Sequence, residues 1–478
     1  MQLDTPDLLA ALATCVGARH VLHSLEDTQP YNEDWRRKYR GRAAAVVSPA
    51  STAEVAAVLQ LASAHRIPVV TQGGNTGMSG GATPDGSGAQ IVLSTRRMNR
   101  IRHVDPFNDT VEVEAGAVLE AVQLAAGEAG RLFPLALAAQ GSCTIGGNLA
   151  TNAGGTAVLR YGNARDLTLG LEVVTPDGRI WNGLRGLRKD NTGYDLKQLY
   201  IGSEGTLGVI TAAVLKLFPT PVARRTAMIA LPSLEQAVQL LCRVRSELGP
   251  ALTAFEVMSA ACAPLLQRHF PAMRWPFDSR TPVVALIETS DHESEAHARD
   301  VLESVLARAL DAGIATDGVI GESVAQSRAL WALREHLSEA QGLEGPHIKH
   351  DISLSTSRVA AFVDVAVRRL EAEFPGARMA WFGHLGDGNL HFNVLAPIGT
   401  DPAAFCARQE DVNRLVHDLV HAHGGSISAE HGLGQLRRDE NARYKDAVEL
   451  ALMHSVKQAL DPLGLMNPDK VLTATKRY

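Results

Sequence analysis

Ile67-Pro-Val-Val-Thr71-Gln-Gly73-Gly-Asn75-Thr-Gly77-Met-Ser-Gly80-Gly81 is an apolar, β-branched run that passes straight into a loop with five glycines in nine residues. β-Branched residues suit a strand, and glycine permits positive φ and close approach of the backbone. A loop of this kind can curl its free N–H groups into a nest for phosphate oxygens. A flexible surface loop is the alternative for one such segment. Two further segments share the texture: Gly141-Ser-Cys-Thr-Ile-Gly146-Gly147-Asn148, continuing to Asn152-Ala-Gly154-Gly155-Thr156, and Gly202-Ser-Glu-Gly205-Thr-Leu-Gly208. Three such segments flanked by apolar strands point to a large dinucleotide site. No G-x-G-x-x-G follows a strand and no G-x-x-x-x-G-K-[ST] occurs, so the phosphates are expected on loops rather than at one helix end.

Outward from this segment the chain alternates strand and helix. Residues 1–45 look helical. Ala44–Val47 is a short strand, and Ser51-x-x-Glu54 is a capping box that opens a helix to about Ala64. Val111–Glu114 alternates, Val118–Ala129 is helix-like with Gly130 as its stop, and Leu169–Val174 ends at the turn Pro176-Asp177-Gly178. The prolines of Phe218-Pro219-Thr220-Pro221 mark a boundary. From about 222 to 425, amphipathic helices such as Leu234–Leu248 and Glu293–Ala312 alternate with isolated strands such as Val283–Glu288 and Met379–Phe382. Residues 437–478 look helical. The expected fold class is α+β.

The sharpest local signal is Met379-Ala-Trp-Phe-Gly-His384-Leu-Gly-Asp387-Gly388-Asn-Leu-His391-Phe-Asn393-Val-Leu395. Asp-Gly between alternating apolar residues is a two-residue hairpin cue. With Asp387-Gly388 as the turn, His384 stands directly opposite His391, and Asn393 points the same way. A polar trio then projects from an apolar hairpin. Ser428-Ala-Glu430-His431-Gly-Leu-Gly434 adds an acid beside an imidazole between glycines. Two imidazoles and a carboxylate suit a divalent transition metal with open positions. A purely structural role for the histidines is the competing reading.

The runs Val69–Gly81, Gly141–Gly155, Tyr161-Gly162-Asn163 and Gly202–Val209 together resemble the FAD-linked oxidases of the vanillyl-alcohol-oxidase type. Gly383–Asn393, Ala429–Gly434 and Asn467–Leu472 resemble its D-lactate and D-2-hydroxyglutarate dehydrogenase branch. The resemblance covers about residues 40 to 475. It implies an FAD-binding domain of two α+β subdomains (1–221), an α+β cap domain (222–425) and a helical C-terminal segment that returns to the flavin (426–478). It places FAD on Gly73, Gly74, Asn75, Thr76, Gly77 and Gly80, with further contacts at Ser142, Gly146, Asn148, Gly154, Gly155, Gly208, Ile210 and Asn467. It assigns metal ligation, zinc by preference, to His384, His391 and Glu430. Substrate carboxylates fall to Arg334 and Lys349, with Ser338, Asn393 and His431 also facing substrate; Ser338 stands where some relatives have Thr. Asn75 occupies the first loop and no His occurs from Val69 to Gly81, so the FAD is expected to be non-covalent.

The resulting expectation is oxidation of a D-2-hydroxy acid (D-2-hydroxyglutarate, D-malate or D-lactate) to the 2-oxo acid, with His431 as the general base. An alternative role for His431 is to orient Glu430. Two rivals stay open: a flavin subunit of a glycolate-oxidase-like complex, and a flavin-binding protein without redox chemistry.

The chain has 478 residues, 45% hydrophobic and 21% charged, enough for two or three domains. Its net charge of −6 gives no nucleic-acid footprint. No apolar stretch reaches the roughly 18 residues of a membrane span. Acidic residues near the start argue against a signal peptide, so a cytoplasmic protein is expected. Five cysteines, odd in number and without a C-x-x-C pair, read as reduced thiols with no iron–sulfur cluster. Electrons are therefore expected to leave through an external acceptor: a quinone, a cytochrome or an electron-transferring flavoprotein, not NAD. A homodimer is the assembly considered.

Overall fold

The structure, a computed structural model, describes residues 4–278 and 280–473. It divides into two compact units. One comprises the chain up to Gly154, Gly162–Thr220 and the chain from Glu430 onward; the other comprises Gly155–Tyr161 and Pro221–Ala429.

The first unit holds two main sheets. The smaller orders Val21–Leu22, Ala45–Val47, Ile91–Ser94 and Val69–Gln72, and the last three strands run parallel. Their residues are almost wholly apolar because helices cover the sheet. Helix Thr52–His65 supplies Val55, Val58, Leu59 and Ala62 to this core, and Thr5–Val16 adds Leu8, Leu12 and Val16. Ser51 Oγ caps the first helix through Glu54 N at 3.2 Å, but the Glu54 carboxylate bonds Ala50 N at 2.8 Å. The capping box is thus closed one residue early. The larger sheet is antiparallel, in the order Ile101–Asp105, Thr110–Glu114, Val209–Lys216, Thr168–Val174 and Ile180–Gly183. Gly178, at φ +82°, makes the turn between the last two, with its N–H on Thr175 O at 2.8 Å.

Two readings of the first unit need correction. Residues 1–45 are not continuously helical: the helix stops at Gly17, which adopts φ +86°, and Val21–Leu22 joins the sheet edge. Among the described residues the C-terminal segment is helical only over Arg438–Tyr444 and Ala447–Leu460. Residues 461–473 are irregular, with Asn467, Asp469 and Val471 all at positive φ, and Met466 bridges Val69 in parallel.

In the second unit the strands expected to be isolated form one antiparallel sheet. Its order is Asp317–Ile320, Ala223–Leu231, Val283–Asp291, Leu252–Ser259, Arg378–His384, Asn389–Leu395 and His347–Ile348, and Asp351–Ser353 also pairs with Asn389–Leu395. Apart from the hairpin Arg378–His384/Asn389–Leu395, most neighbouring strands come from distant parts of the chain, so local periodicity cannot reveal their pairing. Met228, Met258, Leu286, Phe382 and Leu395 pack with helices Cys262–His269, Val324–Glu335 and Leu337–Glu344. Trp331–Ser338 spans two helices, Val324–Glu335 and Leu337–Glu344, broken at His336, whose Nδ1 pairs with Ala332 O at 2.8 Å.

Candidate functional site

The three glycine-rich segments meet around one pocket of the first unit, which encloses about 960 Å³, part of it open to solvent. Gly73 through Gly77 line it from the first segment, Cys143, Thr144 and Gly146 through Asn148 from the second, and Ser203, Glu204, Gly205 and Gly208 from the third. Ile210 and His431 complete the wall. Of the expected contacts, Gly80, Ser142, Gly154, Gly155 and Asn467 are not among the lining residues. Thr71, Ser79, Thr95 and Glu204 also line the pocket, although none of them was among the expected FAD contacts.

The glycines are needed where loop meets loop. A Cβ on Gly74 would lie 2.2 Å from Ser142 O, and one on Gly73 would lie 2.3 Å from Thr144 Oγ1. A Cβ on Gly77 meets nothing within 4 Å. The wall also carries buried hydroxyls of Thr71, Thr95 and Thr144 with no protein hydrogen-bond partner. Buried polar atoms normally find a partner, so a polar ligand fits this wall. Asn467 behaves likewise: its Nδ2 bonds Gly81 O and Glu204 O at 2.8 and 2.7 Å, and its buried Oδ1 has no protein partner. A dinucleotide matches this mixture of close backbone, hydroxyls and amide better than an apolar ligand does. Burial pushes the Cys143 thiol up, which leaves it a neutral wall residue.

The segment carrying His431 is stitched to two of these loops. Ser79 Oγ donates to His431 O at 3.1 Å, and both oxygens of Glu204 accept backbone N–H groups, from Leu433 at 2.7 Å and Gly434 at 2.8 Å. Burial raises the Glu204 carboxyl above its usual range, although those two N–H groups pull it the other way. The basic run Arg36-Arg37-Lys38-Tyr39-Arg40-Gly41-Arg42 reaches the first loop through Tyr39. Tyr39 packs so closely on Gly80 that a Cβ there would lie 2.6 Å from its ring.

The second unit holds the histidine hairpin, and its register differs from the expected one. Phe382, not His384, pairs with His391, and the turn is Leu385–Gly388, four residues rather than two. Tertiary contacts take up the extra residues: Gly386 N donates to Phe255 O at 3.2 Å and Gly386 O accepts from Arg245 at 2.7 Å. Gly388 sits at φ +82° against Leu354 O, where a Cβ would lie at 1.9 Å. The shift is by a whole pleat repeat, so His384, His391 and Asn393 still share a face. The His384 and His391 ring centroids are 5.7 Å apart.

Behind His384 lies a buried charge chain that the sequence reading missed. Glu256 Oε1 is 2.6 Å from His384 Nδ1, and Oε2 accepts from Arg334 Nε at 2.8 Å. Burial alone would raise the Glu256 carboxyl, but the charges of His384 and Arg334 outweigh it and hold it at about 2. The available signal was a lone acid in the apolar strand Leu252–Ser259. A carboxylate on one imidazole nitrogen fixes the tautomer and raises the basicity of the other, which suits a metal ligand. His391 has a carboxylate nearby too, Asp351 Oδ1 at 3.9 Å from Nδ1. The Arg334 guanidinium lies 4.5 Å from the Phe382 ring centre, and Phe382 lies 5.1 Å from the His391 ring.

The other expected substrate residues are placed less uniformly. Asn393 is buried, donating to Gln341 Oε1 at 2.6 Å and accepting from His350 N at 3.3 Å. Lys349 is half-buried between strands His347–Ile348 and Asp351–Ser353, and Ser338 is exposed in the first turn of Leu337–Glu344. Glu430 is half-buried and belongs to the first unit, as does His431.

A loop-built dinucleotide pocket in a mixed α/β unit, together with a second unit built on an antiparallel sheet, defines a flavoenzyme of the vanillyl-alcohol-oxidase type. Residues 43–183 match the FAD binding domain, and residues 220–471 match the C-terminal domain of FAD linked oxidases; the chain belongs to this family and is an FAD-dependent dehydrogenase. It is 42% identical over 467 residues to a mitochondrial D-2-hydroxyglutarate dehydrogenase of Bos taurus, covering 98% of this chain and 83% of the relative. A D-2-hydroxyglutarate dehydrogenase of Xanthomonas citri is 38% identical, covering 98% of this chain and 97% of that one. The fold is shared with p-cresol methylhydroxylase (TM-score 0.72, 17% identity, 98% and 96% covered) and with a 4-ethylphenol oxidase from Gulosibacter chungangensis (TM-score 0.74, 17% identity, 99% and 98% covered). Among the described residues no helix is long and apolar enough to cross a membrane.

Proposed function

We propose that the protein oxidises a D-2-hydroxy dicarboxylate, D-2-hydroxyglutarate foremost, to the 2-oxo acid. The observation that carries this is the group of relatives bearing that activity in their names, matched over 98% of this chain at 38 and 42% identity. Bound FAD supplies the two-electron acceptor for the C2 hydride. The loops at Gly73–Gly77, Gly146–Asn148 and Gly208 hold it without a covalent bond, the first unit serving as the FAD domain and the second as the cap. His431, on the pocket wall, takes the hydroxyl proton. His384 and His391 would hold a divalent cation, zinc by preference, with Glu430 as the third donor named by the resemblance. Such a cation polarises a hydroxyl oxygen. Arg334 and Lys349 bind substrate carboxylates, with Ser338 and Asn393 beside them. Glu256 already offsets the charge of Arg334, so the two cations by themselves do not call for a second substrate carboxylate. The dicarboxylate preference therefore rests on the relatives. Electrons pass on to an external acceptor other than NAD.

The test is anaerobic bleaching of the flavin by a panel of D- and L-2-hydroxy acids, with the purified holoprotein. D-2-Hydroxyglutarate should bleach it fastest, D-malate and D-lactate more slowly, and the L acids not at all. A flavin reduced by dithionite but by none of these acids would overturn the reading.

A further inference from the structure

We propose that Glu204 is the positioning residue for His431. The inference rests on the proposed role of His431 as base. Both Glu204 carboxylate oxygens are occupied by consecutive backbone N–H groups, Leu433 at 2.7 Å and Gly434 at 2.8 Å, which begin two residues after His431. The Glu204 main chain is also held on both sides. Its N–H bonds Ala150 O at 2.8 Å, and its carbonyl accepts from Asn467 Nδ2 at 2.7 Å. It also sits at φ +53°, a left-handed conformation that a non-glycine residue holds only under surrounding constraint.

The segment it grips is shaped to receive it. Gly432 adopts φ +70°, and a Cβ there would lie 2.8 Å from Glu204 Oε1. Gly434 adopts φ +48°, and a Cβ there would lie 2.2 Å from Ser79 O. Two glycines in four residues would leave His431 on a pliable tether. The carboxylate and Ser79 both restrict that freedom. A structural glutamine would serve poorly, since its NH₂ would face a backbone N–H that is already a donor.

The test compares wild type, Glu204→Gln and Glu204→Asp as FAD-loaded holoproteins. Aspartate keeps the charge but is one methylene short. Displacing a catalytic group by about 1 Å can cost about 100-fold in rate. In Glu204→Gln, kcat and anaerobic flavin reduction should fall by that order, with KM within about threefold and FAD retained. Glu204→Asp should fall between the two. Amide hydrogen exchange of the segment 431–436 should speed up in both variants while the exchange of Val209–Lys216 stays unchanged. An unaltered kcat despite faster exchange overturns the proposal. So does loss of FAD in both variants, which would make Glu204 a cofactor-site scaffold. If no 2-hydroxy acid reduces the wild-type flavin, the functional reading fails on its own; the exchange measurement still judges the tether, and unchanged exchange refutes it.

Discussion

Glu256 Oε1 lies 2.6 Å from His384 Nδ1, and both side chains are buried in the sheet of the second unit. The other carboxylate oxygen holds Arg334, so one acid carries a histidine and an arginine at once. Removing one member of a buried charge group costs about 3–5 kcal/mol, because the partners stay desolvated and unpaired. Glu256→Ala should therefore lower unfolding stability by roughly that amount in urea denaturation. If His384 binds metal, the same variant should weaken metal affinity by about 10- to 100-fold in competition with a chelator.

His384→Ala and His391→Ala would separate the proposed metal from the flavin. The pocket is walled entirely by residues of the first unit, whereas both histidines belong to the second. Each variant should retain full FAD absorbance per protein while elemental analysis shows metal lost and turnover falls to a small residue. Full turnover by a metal-free enzyme would return both histidines to a structural role.

The glycine loops give a paired steric prediction. Gly74→Ala drives a methyl to 2.2 Å from Ser142 O, a backbone atom that cannot step aside cheaply. Gly77→Ala meets nothing within 4 Å. In flavin-free protein, Gly74→Ala should lower the melting temperature by several degrees, about 1–3 kcal/mol of overpacking. Gly77→Ala should leave it unchanged. Equal melting temperatures would show that the two loops do not pack as described.

Glu344 supplies the pH prediction. Its carboxylate accepts from Arg268 at 2.8 Å, Arg378 at 2.8 Å and His269 at 2.9 Å. Burial acts to raise the carboxyl, but these partners, His269 first, hold it at about 2. The unfolded carboxyl titrates at about 4.3. A depressed acid stabilises the fold above the unfolded value and loses that contribution as pH falls through the folded one. Wild type should therefore exceed Glu344→Gln in stability at pH 5–7, and the gap should close between about pH 4 and pH 2. A gap independent of pH would mean that the ion pairs contribute nothing.

Much of the flavin pocket was legible in the chain. Three glycine-dense runs, the first of them leaving the apolar strand Val69–Gln72, pointed to a loop-held dinucleotide, because glycine allows such close approaches. The strand Val69–Gln72, the helix Leu234–Leu248 and the turn at Gly178 follow from local composition and period. The hairpin was half legible. Alternation placed His384, His391 and Asn393 on one face, since a side-chain face depends only on parity.

What parity cannot give is register, and tertiary contacts set it. Phe255, Arg245 and Leu354 recruit Leu385–Gly388 into a longer turn, so His391 pairs with Phe382. Glu256 and Glu204 stayed hidden for the same reason. One is 128 residues from His384 and the other 229 from Leu433, and nothing in a local window marks such partners. The sequence determined which residue types could form a flavin pocket and which side chains share a strand face, because both are properties of neighbouring residues. The tertiary structure decided which distant carboxylate each of them meets, because a buried charge takes its partner from whatever the folded chain brings within hydrogen-bond reach.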